Sequence, residues 1–301
     1  MVCSYTALVN CDDRLENAGQ KIRSQQFPRK GNIMKEQNNK GTALITGASS
    51  GIGAIYADRL ARRGYDLILV ARDQKKLDEV ATKLSIETGR KVETLKADLM
   101  QTADLRTVEK RLQEDRSITL LVNNAGLGGT KSLIDSSPEE LDALVMINVQ
   151  ALTRLTRAVM PALAARGKGA IINIASMVAL SPETLNGVYS ASKSYVMVLT
   201  QSMHHELKDK GVQVQAVLPG AIGTPFWDKA GLPVENLPES IVMSADDLVD
   251  AALAGFDQGE LITIPSLPDV AEWNVFNEAR LAMGPKLSRS KPAARYLKTA
   301  A

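Results

Sequence analysis

The sequence predicts an α/β fold, a single domain built on a doubly wound parallel sheet. Three observations predict it. From residue 41 onward, short apolar and β-branched runs alternate with helical stretches, the pattern of βαβ units. The runs are nearly continuous in apolar residues, as strands covered on both faces are. The first run passes through a glycine-rich turn, "TGASSGIG" at 46–53, straight into a helix.

The strand candidates, in order, are TALITG (42–47), DLILVAR (66–72), KVETLKADL (91–99), TLLVNNAG (119–126), AIINIAS (170–176), VQVQAVLPG (212–220) and ELITIP (260–265). Helical patterns fall between most of them, at 51–64, 73–89, 102–114, 138–166 and 188–210. No linker or internal repeat interrupts 41–265, so this span reads as one domain. Residues 1–40 are rich in Asn, Gln, Lys, Arg and Ser, show no sustained period, and read as a disordered N-terminal extension. A natural start at Met34 is the alternative. Residues 266–301 form a C-terminal extension, helical at 268–283 and basic at its end. Two readings stay open for it: closure over a substrate site, or packing on a neighbouring subunit.

Of the 301 residues, 45% are apolar and 23% charged, ordinary for a soluble globular protein. The net charge of +2 resides in residues 1–33, where Arg14, Lys21, Arg23, Arg29 and Lys30 outnumber Asp12, Asp13 and Glu16, five against three. The rest is neutral and gives no electrostatic case for nucleic acid. No apolar run approaches the ~18 residues of a membrane span. Both cysteines, Cys3 and Cys11, lie in the leading segment. The body therefore has no thiolate nucleophile or thiolate metal site, and a reducing, cytoplasmic setting fits. The only histidines, His204 and His205, are adjacent and do not share a helix face; no metal centre is expected.

Glycines at 47, 51 and 53 sit between a strand and a helix, where they permit a tight turn and close approach to a pyrophosphate. Arg72 follows Gly53 at the distance where an acid would hold the ribose of NAD. An arginine there suits a 2′-phosphate instead. Asp73, next along, supports either the opposite reading or a helix N-cap. Asp98 ends the third strand and is either an adenine contact or a turn aspartate. NNAG (123–126) ends the fourth strand as a turn able to lie along a ribose. Ser176 ends the fifth. In YSASK, Tyr189 and Lys193 stand four apart, on one helical face; this is either an exposed pair with no chemistry or a site where an ammonium favours phenolate and lowers the tyrosine pKa.

TGASSGIG, NNAG, Asn148, Ser176, YSASK (189–193) and PGAIGT (219–224), in this order and spacing, resemble the short-chain dehydrogenase/reductase family, single-domain type. The resemblance covers roughly 41–265 and implies a Rossmann-type fold and an NAD(P)-dependent oxidoreductase. It implies that Tyr189 is the proton donor or acceptor, that Lys193 lowers its pKa and binds the nicotinamide ribose, and that Ser176 orients the substrate oxygen. Asn148 would hold a water that relays protons to Lys193. It further implies cofactor contacts at Gly47, Ser49, Ile52 and Gly53 (phosphates and ribose), Ser50 with Arg72 (2′-phosphate), and Asp98 and Leu99 (adenine). Asn123, Ala125 and Gly126 would line the ribose, and Pro219, Gly220, Ile222 and Thr224 the nicotinamide end. Tyr56 departs from the pattern, being bulky where the family often has a small residue.

The expected function is NADP(H)-dependent reduction of a carbonyl or oxidation of an alcohol. NAD-dependent oxidation and a catalytically silent cofactor-binding regulator are the alternatives. Leu127, Met177, Val178, Leu180, Phe226, Trp227, Leu232 and Val234 suggest an uncharged, moderately apolar substrate, with Lys131 and Lys229 the nearby cations. Apolar residues on the helices at 138–166 and 188–210 (Leu141, Leu144, Val145; Val196, Leu199, Met203) suggest a homodimer or homotetramer.

Overall fold

The computed structural model describes residues 39–185 and 187–297, with the side chains of Asp228 and Lys229 set aside. Expectations for residues 1–38, the start at Met34 included, lie outside the described residues. At the start of the described residues, Asn39 Oδ1 accepts from Gly41 N at 2.8 Å and Lys40 N donates to Gly64 O at 3.2 Å.

The elements run β1 (Thr42–Thr46), α1 (Gly51–Arg62), β2 (Asp66–Ala71), α2 (Gln74–Thr88), β3 (Val92–Lys96), α3 (Thr102–Glu114) and β4 (Ile118–Asn123). Then come α4 (Pro138–Val145), a π-helical stretch (Met146–Ala151), α5 (Leu152–Arg166), β5 (Gly169–Ile174), α6 (Gly187–Leu207) and β6 (Val212–Val217). The chain continues through β7 (Ala221–Ile222), α7 (Phe226–Ala230), β8 (Val242–Met243), α8 (Ala245–Asp257), β9 (Ile262–Thr263) and α9 (Val270–Met283). Seven strands form one sheet in the order β3-β2-β1-β4-β5-β6-β9, and every neighbouring pair is parallel. This is the doubly wound, Rossmann-type α/β domain expected from the strand–helix alternation.

Alternation along β1 explains the two-layer cover. Ala43 and Ile45 pack with Tyr56, Leu60, Leu248 and Ala252 of α1 and α8. Leu44, between them, packs on the other face with Leu105, Val108, Leu155 and Val159 of α3 and α5. All five residues of β1 are buried. Tyr56 is buried with this core, so its bulk fills the α1 layer and does not enter the crevice.

Helix ends follow local chemistry. Ser137 and Glu140 form a reciprocal capping box with Pro138 at the first helical position of α4, and Gly89 and Gly167 close α2 and α5 in the left-handed region. Helix α8 was not among the expected helices. Its signals are in the sequence: Ser244 accepts from Asp247 N at 3.0 Å, and Leu248, Val249, Ala252 and Leu253 form the buried face. The single helical pattern at 138–166 is broken into α4, the π turn and α5, which a 3.6-residue period does not reveal.

Candidate active site

The strand order reverses between β1 and β4, the place where parallel α/β sheets bind ligands, outside the carboxyl ends of their strands. A cleft of about 1160 Å³ opens there. Gly47 (φ 67°) and Gly51 (φ 54°) adopt left-handed backbone, and Ser49, Ser50, Gly51 and Ile52 line the cleft at the start of α1. Ser50 caps α1 in extended geometry without using its hydroxyl as the cap. Gly53 does not line the cleft. A Cβ there would strike Gly47 O and the Asn124 amide, so its role is close packing of α1 on the turn.

The turn after β4 is stitched to the turn after β1. Thr46 Oγ1 accepts from Asn124 N and Ala125 N, each at 3.0 Å. Asn124 Nδ2 donates to Thr46 O at 2.9 Å and to Gly47 O at 3.2 Å. Asn123 is a correction: it was expected to line a ribose, but it is buried at 3% exposure. Its Nδ2 donates to Thr156 Oγ1 and Asn173 Oδ1, both at 2.9 Å, because the last residue of β4 still obeys strand alternation and points into the α5 layer. Asn124, Ala125 and Gly126 are the residues on the wall.

Arg72, Asp73 and Lys76 line the cleft beyond β2. Asp73 Oδ1 accepts from Lys76 N at 3.1 Å, so this carboxylate is the N-cap of α2. Asp98 and Leu99 also line the wall. Asp98 Oδ1 accepts from Met100 N at 3.1 Å, the turn reading, while its position on the wall leaves the adenine reading in place. Pro219, Gly220, Ile222 and Thr224 close the far side.

Ser176, Tyr189 and Lys193 meet on this wall. The Ser176 hydroxyl and the Tyr189 phenol share a hydrogen bond. Lys193 Nζ donates to Ile174 O at 2.9 Å and lies 5.8 Å from the Tyr189 ring centroid. Asn148 sits in the π turn, 2% exposed. Its side chain brackets Leu127, accepting from Leu127 N and donating to Leu127 O, each at 2.9 Å, and it donates to Ser192 Oγ at 3.1 Å. It thereby ties the β4 loop to α6 rather than touching the wall itself.

The electrostatics differ from the expected lowering of the tyrosine. Burial pushes the Tyr189 phenol up to about 12, partly offset by the Ser176 hydrogen bond. Burial likewise pulls the Lys193 ammonium down to about 8. In the protein alone, desolvation sets the direction for both groups. At neutral pH the pair is therefore a protonated phenol beside an ammonium, an arrangement that can donate a proton and hold the phenolate left behind.

The profile of the family described as "short chain dehydrogenase" matches residues 41–233. This chain belongs to the short-chain dehydrogenase family. Among solved structures, a short-chain dehydrogenase from Sphingobium yanoikuyae in complex with NADPH superimposes with a TM-score of 0.83 at 48% identity, covering 85% of this chain and all (100%) of that one. A bulky-bulky ketone specific alcohol dehydrogenase from Comamonas testosteroni gives 0.80 at 45% identity, covering 86% and 100%. The very-long-chain 3-oxoacyl-CoA reductase of Bos taurus is 35% identical over 214 residues, 67% of this chain and 66% of that protein.

Several wall residues of this short-chain dehydrogenase escaped the sequence reading. Gly51 and Asn124 belong to motifs already quoted, and strand alternation was the available signal for choosing Asn124 over Asn123. Lys76 stands one helical turn beyond Arg72, a spacing that was legible. Leu185, Leu237 and Ile241 come from irregular segments and carried no signal. Leu180 is 37% exposed and, like Val234, stands off the cleft wall. His204 and His205 are exposed at the end of α6.

Proposed function

We propose that this protein is an NADP(H)-dependent oxidoreductase that moves a hydride between nicotinamide and an uncharged carbonyl or secondary alcohol. The observation that carries the reading is the layout of one cleft. Arg72 and Lys76 stand on it beyond β2, and Ser176, Tyr189 and Lys193 at β5 and α6. β2 and β5 are three strand spacings apart, roughly 14 Å at ~4.8 Å each, so a phosphate end and a reacting end are held well separated.

The residues fit the dinucleotide. The volume of about 1160 Å³ exceeds the ~300–1,000 Å³ of an ordinary ligand pocket. The left-handed glycines and the start of α1 suit a pyrophosphate. A Cβ on Gly126 would press on Asn148 Oδ1 at 3.0 Å, with Lys193 Nζ in ordinary contact at 3.6 Å, so this turn lies against the lysine that would meet a ribose. Gly47, Ser49 and Ile52 would border phosphate and ribose, Ser50 and Arg72 the 2′-phosphate, Asp98 and Leu99 the adenine, Ala125 and Gly126 the ribose, and Pro219, Gly220, Ile222 and Thr224 the nicotinamide. Asp73 uses one carboxylate oxygen as the N-cap of α2, and the cations Arg72 and Lys76 beside it on the wall favour a 2′-phosphate.

The bound cofactor supplies or accepts the hydride. Ser176 and the Tyr189 phenol together hold the substrate oxygen. As charge grows on that oxygen, Tyr189 Oη gives it a proton, and the Lys193 ammonium stabilises the phenolate that remains. Oxidation runs the same transfers backward.

Leu127, Met177, Val178 and Phe226 line the cleft and pack in one apolar cluster with Tyr189, and Trp227, Leu232 and Ile241 are further apolar residues of the wall. The similarity to a ketone-specific enzyme from Comamonas testosteroni supports this substrate class. We also propose a homodimer or homotetramer, on a revised set of residues: Leu144, Val196 and Met203 are buried in the chain's own core, whereas Val145, Tyr195 and Val198 are exposed at 45%, 39% and 57%. No helix among the described residues is long and apolar enough to cross a membrane. The test of function is turnover of neutral ketones and alcohols with NADPH and NADH. No turnover with either nucleotide would favour the silent regulator.

A further inference from the structure

Phe226 opens α7, and its ring reaches into the reacting end of the cleft. Its centroid lies 6.3 Å from that of Tyr189, with the planes tilted by 46°. Trp227 meets it edge-on at 5.8 Å, and Trp227 is itself fixed, 9% exposed with Nε1 donating to Ile222 O at 2.9 Å. The segment carrying both rings is pinned on either side of them. β7 pairs with β8, and Gly223 N donates to Met243 O at 2.9 Å. At the last residue of α7, Thr130 Oγ1 donates to Ala230 O.

Gly128 lies beneath the Phe226 ring. It does not have the left-handed backbone of Gly47 or Gly51, so its conformation does not require glycine. Space does: a Cβ on Gly128 would stand 2.5 Å from Phe226 Cζ, 2.9 Å from Phe226 Cε1 and 3.0 Å from Ala230 Cβ. The ring packs on one side against the apolar cluster of Leu144, Val178 and Tyr189, the first two 4% and 1% exposed. That side is core and cannot retreat without a cavity. The Phe226 side is a half-buried ring on a connecting segment.

We infer that Phe226, seated on Gly128, is the specificity-determining residue that limits the size of the group carried on the reacting carbon. The inference rests on the carbonyl-reductase reading of the same site. Removing the ring opens the wall and takes one aromatic neighbour from Tyr189, while Ser176, Tyr189 and Lys193 themselves are unchanged. Adding a methyl at Gly128 unseats the ring, and that effect depends on the ring being present.

The test is a double-mutant cycle with Phe226→Ala, Gly128→Ala and both together. Each is assayed with NADPH on a methyl ketone and on a ketone bulky on both sides, and NADPH affinity is read separately by fluorescence. Phe226→Ala should raise the bulky-to-small ratio of kcat/KM at least tenfold, in keeping with the roughly 10–200-fold that one group in an apolar pocket commands. Gly128→Ala should change that ratio and raise KM when Phe226 is present, and do neither in the Phe226→Ala background, a non-additivity expected of touching residues. NADPH affinity should stay within about twofold throughout. An unchanged ratio in Phe226→Ala, or additive effects, overturns the inference while leaving the reductase reading intact. A wild-type chain that reduces neither ketone overturns both.

Discussion

The Ser176 hydroxyl and the Tyr189 phenol share a hydrogen bond, although one residue follows β5 and the other lies on α6. The bond pulls against burial and tempers a phenol otherwise held firmly neutral. Catalysis by Tyr189 then needs the proton to leave only as charge builds on the substrate oxygen. Tyr189→Phe should lower kcat by about 10²–10⁴-fold, the range of general acid–base contributions, with NADPH affinity kept. Retained turnover would exclude Tyr189 as the donor.

Cofactor choice turns on Arg72, with Asp73 held as the N-cap of α2. A charged contact to the 2′-phosphate contributes about 1.5–3 kcal/mol, or about ten- to a hundredfold in affinity. Arg72→Asp should weaken NADPH by that factor and leave NADH little changed, as measured by nucleotide titration. A native preference for NADH would refute the assignment.

Stability should carry the signature of Lys193. Its ammonium, 10.5 when free, is pulled down to about 8 by burial. Between these values the unfolded chain holds a proton that the folded chain has released, so stability rises with pH there, by at most about 1.4 kcal/mol per pH unit. Tyr189, pushed up to about 12 from 10.0, acts oppositely: above pH 10 the folded chain keeps a proton the unfolded chain loses, and stability falls. Urea unfolding at pH 7.5 and 9.5 isolates the lysine. Relative to Lys193→Met, the wild type should gain about 1–2 kcal/mol at the higher pH. Parallel behaviour would mean that Lys193 is not desolvated in the folded chain.

Substrate charge is the next test. Among the described residues lining the cleft, the cations are Arg72, Lys76 and Lys193. Lys131, the expected reservation, pairs with Glu140 at 2.5 Å and is 59% exposed. An anionic substrate would lack a fixed partner at the apolar end. A neutral ketone should therefore exceed a keto acid of matched length in kcat/KM. A tenfold preference for the acid would redirect attention to Lys131 and Lys229.

Assembly is expected through the exposed face that carries Val145, Tyr195 and Val198. Light scattering at micromolar concentration should give the mass of a dimer or tetramer, and Val198→Glu should reduce it. A monomeric wild type would refute the proposal.

While the catalytic roles rest on the family resemblance, the sequence by itself determined the strand order in the chain, the glycine turn and the four-residue spacing of Tyr189 and Lys193. These depend on local rules: apolar period, the freedom of glycine, and four-residue helical spacing. Tertiary structure decided the matters that depend on which way a side chain faces and what lies against it. Asn123 and Asn124 are adjacent and chemically identical, yet alternation at the end of β4 sends one into the core and the other onto the cleft wall. Asp73 offers itself in the sequence as a ribose contact or a helix cap, and in the fold one oxygen of its carboxylate takes Lys76 N as the cap of α2. The Tyr189 phenol rises rather than falls because burial, a property of the whole packed domain, dominates its environment, although the sequence places a lysine on the same helical face. Gly128 looks like any loop glycine until the Phe226 ring, ninety-eight positions along the chain, is seen resting on it. Contacts of that separation are set by the fold alone.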